Sequence, residues 1–127
     1  MKGSRTEREL FWMFWDTKIW AGIRCAGSGS TTVPAPDLLM GSKNRKLAIE
    51  CKSGKGKRYL TKKEVDELKF FADKFGAEAW IAMRFNNVDW LFLKPEDLGV
   101  SKGNNYFASI DLAKKKGISF DNLINLT

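Results

Sequence analysis

Apolar residues recur along this chain with two different periods, and the switches between them mark out its elements. Over residues 6–19 the spacing is helical. Leu10, Met13, Phe14 and Thr17 form one stripe, and Phe11, Trp12, Trp15 and Ile19 widen it until the helix is apolar on most sides. Such a helix is expected to be buried or to sit at an interface. Thr6-x-x-Glu9 reads as a capping box at its start, with Ser4-x-x-Glu7 as the alternative. Residues 22–25 then read as a short strand, followed by a small-residue loop over 26–36 that has no periodicity.

Beyond residue 36 the period changes to two. Asp37-Leu-Leu-Met40 leads to a turn at Gly41-Ser42, and the chain returns as Lys46-Leu-Ala-Ile-Glu-Cys-Lys52, a hairpin signature. In the return strand Leu47, Ile49 and Cys51 point to one face, while Ala48, Glu50 and Lys52 point to the other. A Gly/Lys-rich loop spans residues 53–59. A second helix runs from the Thr61-x-x-Glu64 capping box to Gly76, with Val65, Leu68, Phe71, Ala72 and Phe75 as its apolar stripe. Residues 79–85 and 88–93 flank Asn86-Asn87 as a hairpin with a two-residue turn. The tail reads as one more strand over 106–110 and a short helix over 119–126. This order predicts an α/β fold, a mixed central sheet flanked by helices, in one domain over residues 1–127.

Composition narrows the chemistry. The net charge of +7 and the pI of about 9.5 favour a polyanionic partner, nucleic acid or an anionic membrane. No stretch approaches the roughly 18 apolar residues that span a bilayer, and no signal-peptide h-region is present, so a cytoplasmic, nucleoid-associated protein with no membrane partner is expected. Cys25 and Cys51 form no CxxC pair, and reduced core thiols are the expected outcome. There is no histidine. That excludes histidine acid/base chemistry and Cys/His zinc sites, leaving carboxylates, lysines, hydroxyls and a hard metal, with no organic cofactor indicated.

One constellation fits that remainder. Glu50 and Lys52 stand two apart on a strand, with Cα atoms roughly 7 Å apart on one face. Asp37 opens the strand expected to pair with theirs, which brings its carboxylate towards Glu50. Two carboxylates at a sheet end suit Mg²⁺, with Mn²⁺ a workable substitute, because such ions take one or two protein carboxylates and complete their shell with water and phosphate oxygens. A metal there would polarise a phosphodiester and acidify water, and Lys52 would orient that water or balance charge on the phosphoryl oxygens. Between Lys43 and Lys63 there are nine Lys/Arg and one acidic residue, Glu50 itself. A run of this kind is ordinarily a solvated face. Around a phosphate-cutting site it reads as a DNA surface.

Pro36-Asp37 followed by Glu50-Cys51-Lys52 resembles the PD-(D/E)xK nuclease signature. Glu7-Arg8-Glu9, Arg24-Cys-Ala-Gly-Ser28, Ile49-Glu-Cys-Lys52 and Phe71-x-x-x-Phe75-Gly76 together resemble the archaeal Holliday-junction resolvases, in that family's order, over residues 3–93. The resemblance implies a restriction-endonuclease-like fold and a homodimeric, metal-dependent endonuclease acting on four-way DNA junctions. Position by position, it implies Glu7, Asp37 and Glu50 as metal ligands, Lys52 as the catalytic lysine, and Ser28 or Ser30 as a catalytic hydroxyl near the phosphate. Arg8 and Arg24 would contact DNA backbone, joined by Lys55, Lys57 and Arg58 of the basic loop. Phe71 and Phe75 would build the dimer interface. Taken singly, each has a plainer reading: Glu7 in a helix cap, Pro36-Asp37 in a turn, Glu50 and Lys52 on a solvated strand. Their joint occurrence in order outweighs these. Two alternatives stay open, a non-catalytic basic DNA-binding protein and a nuclease of the same superfamily acting on other DNA structures.

Overall fold

A computed structural model describes residues 2–25 and 33–126. The elements run α1 (Lys2–Asp16), β1 (Ala21–Arg24), β2 (Leu38–Gly41), β3 (Lys46–Gly54), β4 (Arg58–Leu60), α2 (Lys62–Phe75), β5 (Glu78–Phe85), β6 (Leu91–Leu93), β7 (Gly99–Val100), β8 (Tyr106–Ala108), α3 (Ile110–Lys116), β9 (Ile118–Ser119) and α4 (Phe120–Ile124). Six strands form the central sheet in the order β1-β2-β3-β5-β6-β9. It is mixed: β3 and β5 are parallel, because α2 carries the chain across between them, and the remaining pairs are antiparallel.

The alternation along β3 decides how the sheet is covered. Leu47 and Ile49 join Leu10 and Phe14 of α1, Leu38, Met40, Trp80, Phe92 and Leu123 in one core cluster. Ala48 faces the opposite side, with Val65, Leu68 and Ala72 of α2, Ile81, Met83 and Phe85. The sheet therefore has α1 and α4 on one face and α2 on the other. Glu50 and Lys52 lie on the α2 side and Cys51 on the α1 side, as the period-two reading requires.

α2 forms where its end signals place it. The Thr61 hydroxyl accepts from the Glu64 N–H, the Glu64 side chain accepts from the Thr61 N–H, and Gly76 closes the helix in the left-handed region at φ 79°. The β2–β3 hairpin also forms as expected, with Leu38 opposite Ile49 and Met40 opposite Leu47.

Other expectations need correction. α1 begins at Lys2, so neither Thr6 nor Ser4 caps it; both lie inside the helix and turn their hydroxyls to tertiary contacts. It ends at Asp16 rather than near residue 19, because the Thr17 hydroxyl accepts from the Ile19 and Trp20 N–H groups and turns the chain. It is buried on one side only, and Trp12, Trp15 and Ile19 are exposed. Asn86 and Asn87 do turn, with Asn87 at φ 62°, but β6 resumes only at Leu91. The strand over 106–110 stops at Ala108, because the Ser109 hydroxyl caps α3, a helix the sequence reading missed. The basic loop is a tight turn into β4, which pairs with β8, and β8 pairs in turn with β7 in a second, three-stranded sheet.

The Thr61 cap yields the first test. Thr61→Ala should lower unfolding free energy by about 1 kcal/mol in urea titrations, while Thr61→Ser should stay close to wild type. Equal stability in all three would show that α2 does not depend on its cap.

Candidate active site

Asp37 is positioned by backbone on both sides. Its carbonyl accepts from the Cys25 N–H of the segment after β1, at 2.9 Å, and its carboxylate Oδ2 accepts from the Cys51 N–H of β3, at 2.8 Å. The carboxylate therefore lies across the end of the β2–β3 pairing, beside Glu50. Both are half-buried, and like charges in a lowered dielectric raise each other's pKa. Burial raises the Asp37 carboxyl above its usual range despite the Cys51 N–H and the nearby Lys52. Burial and the Asp37 charge push Glu50 to about 8. Burial, then Asp37, also raises Glu7, against the pull of Arg24.

Lys52 does not point freely into this group. Its Nζ donates to Glu64 Oε2 at 2.8 Å, while Glu64 Oε1 accepts from the Thr61 N–H at 2.9 Å. Glu64 thus ties the lysine to the first turn of α2. Burial works against its charge, but the Lys52 and Thr61 hydrogen bonds more than offset that and lower its pKa. The sequence reading placed Glu64 in the cap alone. Its second partner was invisible because Lys52 and Glu64 meet only when α2 packs on β3.

A cationic cluster stands on the α1 side. The Ser4 hydroxyl accepts from Arg8 Nη1 at 2.9 Å and from Arg24 Nη2 at 3.1 Å, so two guanidinium groups converge on one oxygen. Arg24 also reaches Glu7 Oε1 at 3.4 Å, and its buried Nε has no partner among the described residues. Nothing in the local sequence of Ser4 distinguishes this role from that of a helix cap. Glu9, two residues beyond Glu7, is structural: it accepts from Arg84 at 2.9 Å and from the Trp90 indole at 2.5 Å, pinning α1 to the sheet. A groove of about 670 Å³ opens between α1 and the carboxyl ends of β3 and β5, lined by Arg5, Thr6, Ser53, Arg84 and Asn86 among others.

The structure thus brings Asp37, Glu50 and Lys52 together, with Glu7 close enough to act on both carboxyls. It does not gather Glu7, Asp37 and Glu50 into a three-ligand cage: no group of three or more potential ligands close enough to hold a metal occurs among the described residues. Glu7 is engaged by Arg24 instead. The donor set still fits a hard divalent cation. Two oxygen ligands on adjacent strands suffice for Mg²⁺, and a half-buried carboxyl driven to about 8 by burial and its neighbour is one that a cation would readily ionise. Ser28 and Ser30 lie outside the described residues. In the basic turn, Arg58 donates to the Lys55 and Lys57 carbonyls and Lys57 lies 4.5 Å from the centre of the Phe107 ring, so two of those three cations have internal partners; Lys55 is exposed. Phe71 and Phe75 stack at 5.3 Å; Phe71 is half-buried against the core beneath α2, while Phe75 is 44% exposed. Cys25 and Cys51 are free thiols, and burial raises both pKa values. No helix among the described residues is long and apolar enough to cross a membrane.

The chain is similar in sequence and in fold to known proteins. The family described as archaeal Holliday junction resolvase (Hjc) matches over residues 1–127. A crossover junction endodeoxyribonuclease Hjc from Archaeoglobus fulgidus is 39% identical over 104 residues, covering 81% of this chain and 76% of its own. The protein of the same name from Sulfolobus acidocaldarius is 33% identical over 126 residues, covering 97% and 86%. The solved structure of the A. fulgidus Hjc, a Holliday junction resolvase from an archaeal hyperthermophile, superposes with a TM-score of 0.86 at 31% identity, covering 95% of this chain and 98% of that one.

The carboxyl cluster sets a pH dependence. Glu50 has a folded pKa of about 8, far above its value in an unfolded chain, so between roughly pH 4.5 and 8 the folded state holds the extra proton. Stability of the metal-free protein should therefore fall as pH rises through that window, and Asp37 and Glu7 act with the same sign. Urea titrations in chelator at pH 5, 7 and 9 should show the fall in wild type and a shallower one in Glu50→Gln. Parallel slopes would mean that Glu50 ionises normally.

Proposed function

The chain belongs to the archaeal Holliday-junction resolvase family, and from that membership we propose that it is a structure-selective endonuclease that cuts four-way DNA junctions by metal-dependent phosphodiester hydrolysis. The observation that carries this reading is the half-buried pair Asp37 and Glu50 at the end of the β2–β3 hairpin, with Lys52 held beside it. Two half-buried carboxyls that raise each other's pKa destabilise the metal-free fold, a cost that a bound cation would offset. Junction shape and backbone charge, rather than base edges, dominate recognition in this reading.

Asp37 and Glu50 would hold the cation, with Mg²⁺ the proposed ion, and Glu7 is the proposed third carboxylate near it. When bound, the ion supplies Lewis-acid polarisation of the phosphodiester and makes a water acidic enough to act as nucleophile. The protein's own groups do the rest. The Cys51 N–H fixes the orientation of Asp37. Lys52, tethered by Glu64, places one positive charge where the phosphoryl oxygens gain negative charge. Arg8 and Arg24 grip the backbone phosphate, exchanging the Ser4 hydroxyl for a charged acceptor. Ser28 or Ser30 remains the proposed loop hydroxyl. Lys55, with Lys57 and Arg58 behind it, extends the phosphate-binding surface.

The proposal includes a homodimer. A two-fold assembly presents two equivalent sites to two equivalent strands of a junction. Support comes from α2, where Phe70 is 52% and Phe75 44% exposed and Phe70 borders a depression of about 720 Å³ beside Pro95.

Asp37→Asn and Glu50→Gln should each abolish Mg²⁺-dependent nicking of a four-way junction while leaving junction affinity in Ca²⁺ within a few-fold of wild type. Lys52→Ala should also be inactive. Glu64→Gln, which keeps an acceptor for the Thr61 N–H but loses the charge paired with Lys52, should lower kcat with only a small loss of stability. Comparison with a nicked and a plain duplex separates a resolvase from nucleases of other specificity, and normal cutting by Asp37→Asn would reject the site.

Phe71→Ala with Phe75→Ala should give a folded monomer that no longer makes paired incisions, since each ring contributes on the order of 3–5 kcal/mol where it is fully buried. Light scattering together with circular dichroism decides it: a persistent dimer moves the interface elsewhere, and an unfolded chain assigns the rings to the monomer core.

A further inference from the structure

α1 carries two tryptophans, Trp12 and Trp15, on the side turned away from the core, and both are substantially exposed. Trp15 donates its indole N–H to the Gly22 carbonyl at 3.2 Å, tying α1 to the edge strand β1. Trp12 makes no such bond to any described residue and is 57% exposed. Its ring stands edge-on to Phe11, at 5.1 Å and 87°, which sets its orientation. Across from it Ile23 of β1 is 58% exposed. Trp12 and Ile23 line a shallow groove of about 400 Å³ together with Phe11, Gly22, Arg8 and Arg24. The volume lies in the range of small-ligand sites, which run from about 300 to 1,000 Å³.

Its chemistry is two-part. One end is aromatic and aliphatic. The other carries the two guanidinium groups that converge on Ser4, one of which also reaches Glu7 of the carboxylate cluster. An indole face beside paired cations, continuous with the phosphate-cutting centre, matches a nucleotide whose base has left its stack: the base lies on the ring and its phosphate meets the arginines. A second copy of the chain fits poorly. Pairing this face with itself across a two-fold axis would set Arg8 and Arg24 against their own duplicates.

We infer that the groove between Trp12 and Ile23 takes an unstacked base next to the branch point, with Arg8 and Arg24 on its flanking phosphate. The inference rests on the resolvase reading and adds to it a base-stacking contact that a continuous duplex cannot make. It gives the enzyme a means of telling a branch from a linear helix that does not depend on the catalytic carboxylates.

The test uses the full-length protein in Ca²⁺, with a four-way junction carrying 2-aminopurine in turn at each nucleotide flanking the exchange point, and a matched linear duplex. Wild type should change the 2-aminopurine emission at one such position. Trp12→Ala should abolish that change and weaken junction binding by about ten-fold. Duplex affinity should be unaltered, and so should the salt dependence of junction binding, since no phosphate contact is removed. Trp12→Phe, which keeps a stacking face, should recover most of the affinity. Because the side chain is exposed, circular dichroism of both variants should match wild type. Equal loss on junction and duplex, or no loss on either, would overturn the inference. So would a change in sedimentation coefficient for Trp12→Ala without DNA, which would mark the face as a protein-docking surface. Wild type that fails to prefer junction over duplex would instead reject the resolvase reading, and the inference with it.

Discussion

Two half-buried carboxyl groups side by side at one end of a sheet repel each other, and most of the arrangement around Asp37 and Glu50 answers that constraint. The Cys51 N–H and the Lys52 and Arg24 charges favour ionised Asp37, yet burial still leaves both carboxyls raised, Glu50 to about 8. Without a cation the cluster holds protons it would lose in an unfolded chain. The fold thus maintains a site whose electrostatics favour binding positive charge. The same feature that destabilises the metal-free protein at alkaline pH would give a divalent ion its affinity in the proposed reading.

That site lies on a seam. Glu50 and Lys52 face α2, whereas Glu7, Arg8 and the Ser4 bridge belong to α1 on the opposite side of the sheet. Only at the sheet's end, past Leu38 and Ile49, do the two layers meet, with Asp37 between them. Each layer contributes one sort of control. α2 holds the lysine through Glu64, and α1 holds the arginines through Ser4. A substitution in either helix can therefore alter one function and leave the other standing. The α2 cap illustrates how closely structure and chemistry are joined: Glu64 serves the helix with one carboxylate oxygen and Lys52 with the other.

Much of this was legible in the order of residues alone. The period-two run over Leu47 to Lys52 sorted the two faces of β3 correctly, because strand geometry leaves no other choice once one face is apolar. Thr61, Glu64 and Gly76 bounded α2 to the residue, because caps satisfy orphan backbone groups within a few positions. The same capping logic misplaced the start of α1. There Ser4 and Thr6 found tertiary partners, and a hydroxyl with a distant partner has no need to cap. The two- and three-residue strands β4, β7 and β9 escaped for a related reason: such segments carry too few residues to show a period and exist only through the strands they pair with.

What the sequence by itself determined is therefore local and chemical: the types of the longer elements, the facing of Glu50 and Lys52, the absence of histidine, and a donor set suited to a hard cation. Tertiary structure alone decided which charges share a neighbourhood. It brought Glu64 to Lys52 across 12 positions, Arg24 to Ser4 across 20 and Arg84 to Glu9 across 75. It also left Trp12 in solvent beside two arginines, when its place in an apolar stripe gave equal weight to burial. The physical reason is that periodicity assigns a side chain to a face, whereas its neighbours on that face come from other elements. Their approach is set by the packing of the whole sheet between its helices.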